Sequence, residues 1–212
     1  MKNIIFIAPP AAGKGTHSKK LVDKYNYVHI STGDMLREVI ASGSELGLEV
    51  KSIIDQGKLV SDELIIKLIN NKLTDIKGKP FILDGFPRTL SQAESLDSIV
   101  DNDYEVIYLD IDKETAIKRI EGRLTCSCGA SYNINEEAFR PQVEGICDKC
   151  GSKLVKRDDD NALAFAVRYD TFLENTKPLY EYYEKKNKLH VIDVNKDASE
   201  IFDEISRIVA ND

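Results

Sequence analysis

No apolar run in this chain approaches the roughly 20 residues that a membrane-spanning helix needs. Residues 1–15 also lack the basic, apolar and small-residue succession of an export leader. A cytoplasmic protein with no membrane partner is expected. A basic excess is missing too: 29 Lys and Arg stand against 36 Asp and Glu, for a net charge of −7. That balance argues against a general nucleic-acid binder, which carries a basic surface or stripe. Internal repeats and low-complexity tracts are absent. Cysteine is absent except between positions 126 and 150, so a disulfide-built scaffold is not expected in a cytoplasmic chain.

What is present is the make-up of a globular protein, 42% hydrophobic and 31% charged over 212 residues. That length suits one main domain with a small insertion. Apolar runs and amphipathic stretches alternate. Strands are expected near 3–8, 27–30, 80–84, 104–111 and 189–193. Helices are expected near 14–25, 33–41, 46–56, 61–73, 90–99, 113–122, 160–185 and 197–210. Leu64, Ile65, Leu68, Ile69 and Leu73 fall on one helical face, as do Ile201, Ile205, Ile208 and Val209. Ser61 is read as the N-cap of the first of these, with Asp62 and Glu63 in its first turn. Such alternation predicts an α/β fold, a parallel sheet covered on both faces with ligands at the carboxyl ends of its strands. The segment 124–158 breaks the rhythm and reads as an inserted module.

Three segments carry chemistry. Ile4 to Ile7 form a short buried-strand pattern, and Ala8-Pro9-Pro10-Ala11-Ala12-Gly13-Lys14-Gly15-Thr16 then leads into a helix. Small residues let the backbone curl around an anion, and the helix N-terminus adds positive potential. Lys14 is a point charge for outer phosphates, and Thr16 is placed to orient them or a Mg²⁺ ion. The loop departs from G-x-x-x-x-G-K-[ST] in two ways: Ala8 replaces the first glycine, and Gly15 precedes the hydroxyl residue. An ordinary glycine-bearing turn is the plain alternative. The second segment, Phe81 to Arg88, ends an apolar strand in Asp84, beside a loop where a carboxylate could hold Mg²⁺ or its waters; an Asp-Gly strand exit is its plain reading. The third, Ser31 to Arg37, opens a helix after a short strand, as a second anion or base site or as a simple cap.

Together these segments resemble the adenylate kinase family over nearly the whole chain. The matching motifs, in order, are Gly13-Lys14-Gly15-Thr16, Ser31 to Arg37, Gly57-Lys58-Leu59-Val60, Asp84 to Arg88 with Thr89, Gln92 and Ala93, Gly122-Arg123, and Arg157-Asp158-Asp159-Asp160. The resemblance implies a P-loop nucleoside monophosphate kinase fold with a five-stranded parallel sheet. It implies a core of residues 1–30, 61–122 and 161–212, an AMP-binding segment 31–60 and a lid 123–160. The implied reaction is reversible phosphoryl transfer from MgATP to AMP, giving ADP. Lys14, Arg88, Arg123, Arg157 and Arg168 would bind phosphates, and Asp84 would partner Mg²⁺. Ala11, Ala12, Gly13, Lys14, Gly15, Thr16, Arg119, Arg123, Tyr132 and Lys196 would form the ATP site, with Arg119 packed on the adenine. Thr32, Leu36, Arg37, Ile54, Lys58, Leu59, Val60, Gly85, Arg88, Gln92, Arg157 and Arg168 would form the AMP site. Asp159 and Asp160 would orient the lid, and the protein would be a monomer. Ala8 and Ala11 stand where most relatives have glycine.

The cysteines form two tight pairs, Cys126-Ser127-Cys128 and Cys147-Asp148-Lys149-Cys150. In a cytoplasmic chain that grouping argues for a structural tetrahedral Zn²⁺, with reduced, hydrogen-bonded thiols as the alternative. The metal-bearing lids of the family usually carry Cys-x-x-Cys twice, and the first pair here is one residue shorter. Two other functions stay open at this point: a kinase for UMP or CMP, and a nonenzymatic nucleotide switch or redox-sensing zinc protein with a phosphate loop.

Overall fold

A computed structural model describes residues 1–76, 78–100, 103–157 and 160–210. The chain begins β1 (Asn3–Ile7), α1 (Lys14–Tyr25), β2 (Val28–Ser31), α2 (Thr32–Ala41), α3 (Glu45–Asp55), α4 (Asp62–Ile76) and β3 (Phe81–Asp84). It continues α5 (Leu90–Ile99), β4 (Tyr104–Asp110), α6 (Lys113–Gly122), β5 (Arg123–Thr125) and β6 (Ser131–Asn133). A 3₁₀ turn at Glu137–Phe139 precedes α7 (Ala162–Lys185), β7 (Leu189–Asp193) and α8 (Ala198–Ala210). Five parallel strands form the main sheet in the order β2-β3-β1-β4-β7.

Alternation along β1 explains why the sheet is covered twice. Ile4 and Phe6 enter one core with Leu21, Ile82, Ile107 and Ile205. Ile5 and Ile7 enter the other with Ile69, Leu83, Leu96 and Val106. A strand buried on both faces reads as the continuous apolar run seen in the sequence. Register then sets the site: Phe6 pairs with Asp84, and Asp84 pairs with Ser31. The carboxyl ends of β1, β2 and β3 are therefore level, which brings the loop after Ile7, the start of α2 and Gly85 to one place.

Side-chain caps start most of the helices around this place. Ser31 Oγ accepts from Asp34 N at 3.2 Å, Ser44 Oγ from Gly47 N at 3.1 Å and Thr89 Oγ1 from Gln92 N at 3.2 Å. Helix α1 differs: its cap position is Gly13, at φ 91°, with no side-chain cap. Its first amides keep their hydrogens for a ligand. At α4, Asp62 is the first helical residue and Ser61 O accepts from Ile65 N at 3.2 Å.

The segment after α6 departs from the expected absence of pattern. β5 and β6 form an antiparallel hairpin with Leu124 opposite Tyr132, and Thr125 bridges Val155. Strands of three residues are too short to show an alternation in sequence. Among the described residues no helix is long and apolar enough to cross a membrane.

Candidate active site

Lys14 begins α1 and turns its ammonium back over the loop, donating to Ala8 O at 3.0 Å and Pro9 O at 3.2 Å. Burial lowers its pKa to about 8; the nearby Asp84 charge resists this, while Arg88, Arg168 and Arg123 add to it. A group of cations this dense is poised for a polyanion. Backbone shape at the loop depends on two left-handed residues, Ala11 at φ 66° and Gly13 at φ 91°.

Asp84 faces the loop from the end of β3. Burial alone would raise its pKa, but His29, whose Nε2 lies 3.2 Å from Oδ2, and the Lys14 charge hold the carboxyl below its usual range. The next residue, Gly85, has φ 84°, and a Cβ there would stand 2.7 Å from Thr32 Oγ1 and 2.9 Å from an Arg88 nitrogen. Thr32 Oγ1 donates to Gly85 O at 3.0 Å, and Arg88 Nε donates to the same oxygen at 2.8 Å. Burial, with the neighbouring Arg168 charge, lowers the Arg88 pKa. Gln92 Oε1 accepts from Arg88 N at 2.7 Å, and its amide nitrogen donates to Asp62 at 2.6 Å. One amide hydrogen of Gln92 is left for a ligand.

Across the cavity, Asp160 is fully buried at its carboxylate and binds Arg123, with Arg168 Nη1 3.9 Å away. One anion thus sets the direction of two arginines, and it stands behind them. Arg119 is held by Glu136 at 2.7 Å and by Val194 O at 3.1 Å. Arg37 pairs with Asp34 at 2.5 Å. Burial opposes ionisation of Asp34, but Arg37, Ser31 and the Arg157 charge outweigh it and keep its pKa low.

These groups enclose a cavity of about 1360 Å³, larger than the roughly 300–1,000 Å³ of an ordinary single-ligand pocket. Every residue read from the sequence as ATP- or AMP-binding lines it except Lys196. The Lys196 ammonium pairs instead with Glu204 at 2.6 Å. Asp159 lies outside the described residues. His29 and Glu136 escaped the sequence reading, as did the tie of the first-turn Asp62 to Gln92, although each fixes a residue that it found. Their partners lie 55, 30 and 17 positions away, and no local pattern reports such pairs.

The four cysteines converge, with every Sγ within 4.8 Å of the others. Cys126 and Cys150 sulfurs are 3.4 Å apart, and those of Cys128 and Cys147 are 3.6 Å apart. A tetrahedron with metal–sulfur bonds of about 2.3 Å has edges of about 3.8 Å. The donor set therefore fits one zinc-sized ion, and the one-residue spacer does not keep Cys128 out. Turns help: Gly129 N donates to Cys126 O at 3.0 Å and Gly151 N to Cys147 O at 2.8 Å. The Tyr132 hydroxyl, 3.5 Å from Cys147 Sγ, and the amides of Cys150 and Lys149 outweigh burial and pull the Cys147 thiol down to about 6. Cys126 is favoured as thiolate by the Cys128 amide, yet burial and the neighbouring sulfurs push it up to about 11. Cys150 is favoured as thiolate as well, by Ser152 and the neighbouring sulfurs.

A phosphate loop at the switch of a parallel sheet, facing converging arginines, defines a nucleotide-binding phosphotransferase. The adenylate kinase family profile matches residues 6–188. Adenylate kinase of Thermosipho africanus is 45% identical, over 98% of this chain and 99% of the relative. The adenylate kinase of Fervidobacterium nodosum is 46% identical over 94% and 93%, and that of Methanosarcina mazei 45% over 98% of each. The chain belongs to the adenylate kinase family, and it is a kinase with a nucleotide-binding site.

Proposed function

We propose that this chain transfers the γ-phosphoryl group of MgATP to AMP, reversibly, giving two ADP. The observation that carries this is the convergence of Lys14, Arg88, Arg123, Arg157 and Arg168 on one cavity with room for two nucleotides. A switch that cradles a single nucleotide has no use for a second set of phosphate ligands. ATP would lie along the α1 N-terminus with its adenine on Arg119. AMP would lie between Thr32, Arg37, Lys58 and Gly85, with the remaining hydrogen of Gln92 toward its base.

The chemistry asks for position and charge more than for covalent help. Lys14 and the uncapped amides of α1 would hold the outer phosphates of ATP. Arg37 would hold the α-phosphate of AMP, Arg88 would bind phosphate in the same crevice, and Arg123 and Arg168, aligned by Asp160, would meet the charge of the group in transit. The ionised Asp84 carboxylate beside the loop suits a hard cation or its waters, and Mg²⁺ held there would supply positive charge to offset that of the phosphates. Residues 1–30, 61–122 and 161–212 would act as the fixed core, 31–60 as the AMP-binding segment and 123–160 as a lid. Closure over the site would exclude water and suppress hydrolysis of ATP. A structural Zn²⁺ on Cys126, Cys128, Cys147 and Cys150 would staple the lid, a closed four-sulfur site with no place for a reacting water. Cysteines that serve as metal ligands and not as disulfides support a cytoplasmic location, and a self-contained site supports a monomer.

The deciding experiment offers ATP with AMP, UMP, CMP or GMP in turn to the purified chain. Transfer to AMP at least tenfold more efficient than to the others is expected. Preference for UMP or CMP would replace the acceptor, and transfer to none would overturn the reading.

A further inference from the structure

Tyr132 belongs to two sites at once. Its side chain forms part of the wall of the nucleotide cavity. It also packs on the small cluster of Cys126, Ala130, Cys147 and Leu154. The hydroxyl accepts from Asp148 N at 2.9 Å and lies 3.5 Å from Cys147 Sγ. A phenol has one hydrogen to give, and with the amide filling an acceptor position that hydrogen is free for the sulfur. Strand β6 fixes the backbone of this residue, pairing it with Leu124 beside Arg123. Ring and hydroxyl therefore move together.

We infer that Tyr132 couples the cysteine site to the ATP site, its hydroxyl steadying Cys147 as a metal-binding thiolate while its ring, held by that bond, shapes the wall that receives ATP. The inference rests on the reading of the cavity and of the cysteines given above. Hydrogen bonds to a ligand atom from a neighbouring residue typically change metal affinity 10–100-fold. Coupling of this kind is reciprocal: whatever factor the metal contributes to ATP affinity, ATP contributes to metal affinity. Tyr132 is a positioning residue here, acting through the sulfur on one side and through the ring on the other.

The test uses the zinc-loaded full chain and reads the rate of zinc release to a chromogenic chelator. MgATP without AMP should slow release several-fold. AMP alone, whose proposed pocket does not include Tyr132, should leave it unchanged. Tyr132→Phe keeps the ring and removes the hydroxyl; it should release zinc about tenfold faster and lose the response to MgATP. Simple shielding by a closed lid would preserve that response in Tyr132→Phe, and such a result overturns the inference. A second measurement does not depend on the variant: in wild-type protein loaded with Co²⁺, MgATP should shift the thiolate-to-metal absorption band, and an unmoved band at saturation overturns the inference. Metal content and ATP–AMP transfer are measured on the same preparations. A chain without transfer defeats the proposed reaction, and one without metal defeats the zinc site and the coupling with it; a loaded and active chain with ATP-independent release defeats only the coupling.

Discussion

The parallel sheet and the hairpin module after α6 are held together by different means. Sheet strands bury Ile4, Phe6, Ile82 and Ile107 on one face and Ile5, Ile7, Leu83 and Val106 on the other. The apolar core of the module is Cys126, Ala130, Cys147 and Leu154 among the described residues, with Leu124 and Tyr132 at its margin. Half of that small core is thiol. Apolar burial at about 25 cal/mol per Å² supports the first region amply, whereas a module of the second size needs a staple. The phosphate loop sits on the region with the large apolar core, and the arginine at the head of β5 comes with the region whose core is small. Placement of charge is thus rigid on one side of the reaction and conditional on the other.

The sharpest break in the rigid half is Lys14→Ala. If Lys14 holds the outer phosphates as proposed, removing its charge should cut turnover on the order of 10³-fold. Stability should move the other way or not at all. Burial and the arginines depress the Lys14 pKa from 10.5 to about 8, so between those values the unfolded chain binds more protons, and native stability rises with pH. Below about pH 8 the full cost of the buried charge applies, and the alanine variant escapes it. Turnover and thermal melts at pH 7 check both halves; near-normal turnover would remove Lys14 from the phosphate clamp.

The conditional half breaks at Cys147→Ser with Cys150→Ser, or on chelation. If the metal adds on the order of 2 kcal/mol to the whole chain, the melting temperature should fall by about 4–8 °C. Some transfer activity should survive at low temperature, because Lys14 and Arg88 do not sit on the module. Differential scanning calorimetry with and without chelator measures the drop. An unchanged melt in a metal-free protein would show that hydrogen bonds such as Cys126 N to Ala130 O, at 2.9 Å, suffice alone.

Legibility in the sequence followed the same division. β1, β3 and β4 and the helices around them could be read because their apolar periods are long and their caps local; α4 ran on to Ile76, past the expected end, and α7 opened at Ala162. The phosphate loop was readable because one strand, one loop and one helix lie in order along the chain. β5 and β6 were not, since three residues carry no period. Asp160 with Arg123 and Arg168, His29 with Asp84, and Glu136 with Arg119 were out of reach because each joins residues from different elements. Convergence of the four sulfurs, by contrast, was legible in the two tight cysteine pairs; what spacing did not show was the turns that bring Cys128 in despite its one-residue spacer.

A smaller effect distinguishes the two halves in acid. His17, on α1, is 3% exposed, stacks on Phe202 and finds no hydrogen-bond partner for Nδ1 among the described residues. Burial, with the charges of Lys20 and Arg119, lowers its pKa from 6.5 to about 4. The unfolded chain binds the extra proton across that window, so native stability falls as pH drops from 6.5 toward 4. The loss should be on the order of 1 kcal/mol at pH 5. Denaturant midpoints at pH 7 and pH 5 should fall further in the wild type than in His17→Gln, and equal slopes would clear His17 of the acid sensitivity.

The smallest expected change lies in the loop itself, where two left-handed residues sit two positions apart. Gly13 takes φ 91° without penalty, while Ala11 holds φ 66° against its own Cβ, a conformation that costs an ordinary residue roughly 1–2 kcal/mol. Ala11→Gly relieves that strain but returns freedom to the unfolded chain, which offsets about 0.4–1 kcal/mol of the gain. A net rise of about 0.5 kcal/mol remains, or about 1–2 °C in the melting temperature of a chain of this size. Gly13→Ala runs the same argument backwards: a Cβ there would meet the His17 ring at 3.5 Å, ordinary contact, so its cost would come from the backbone alone. Paired melts of the two variants therefore isolate the left-handed penalty at neighbouring sites of one loop. A drop of a degree or more in Ala11→Gly would mean that the alanine methyl is packed to advantage, as its position against the first core allows, and that the loop is not strained at this point.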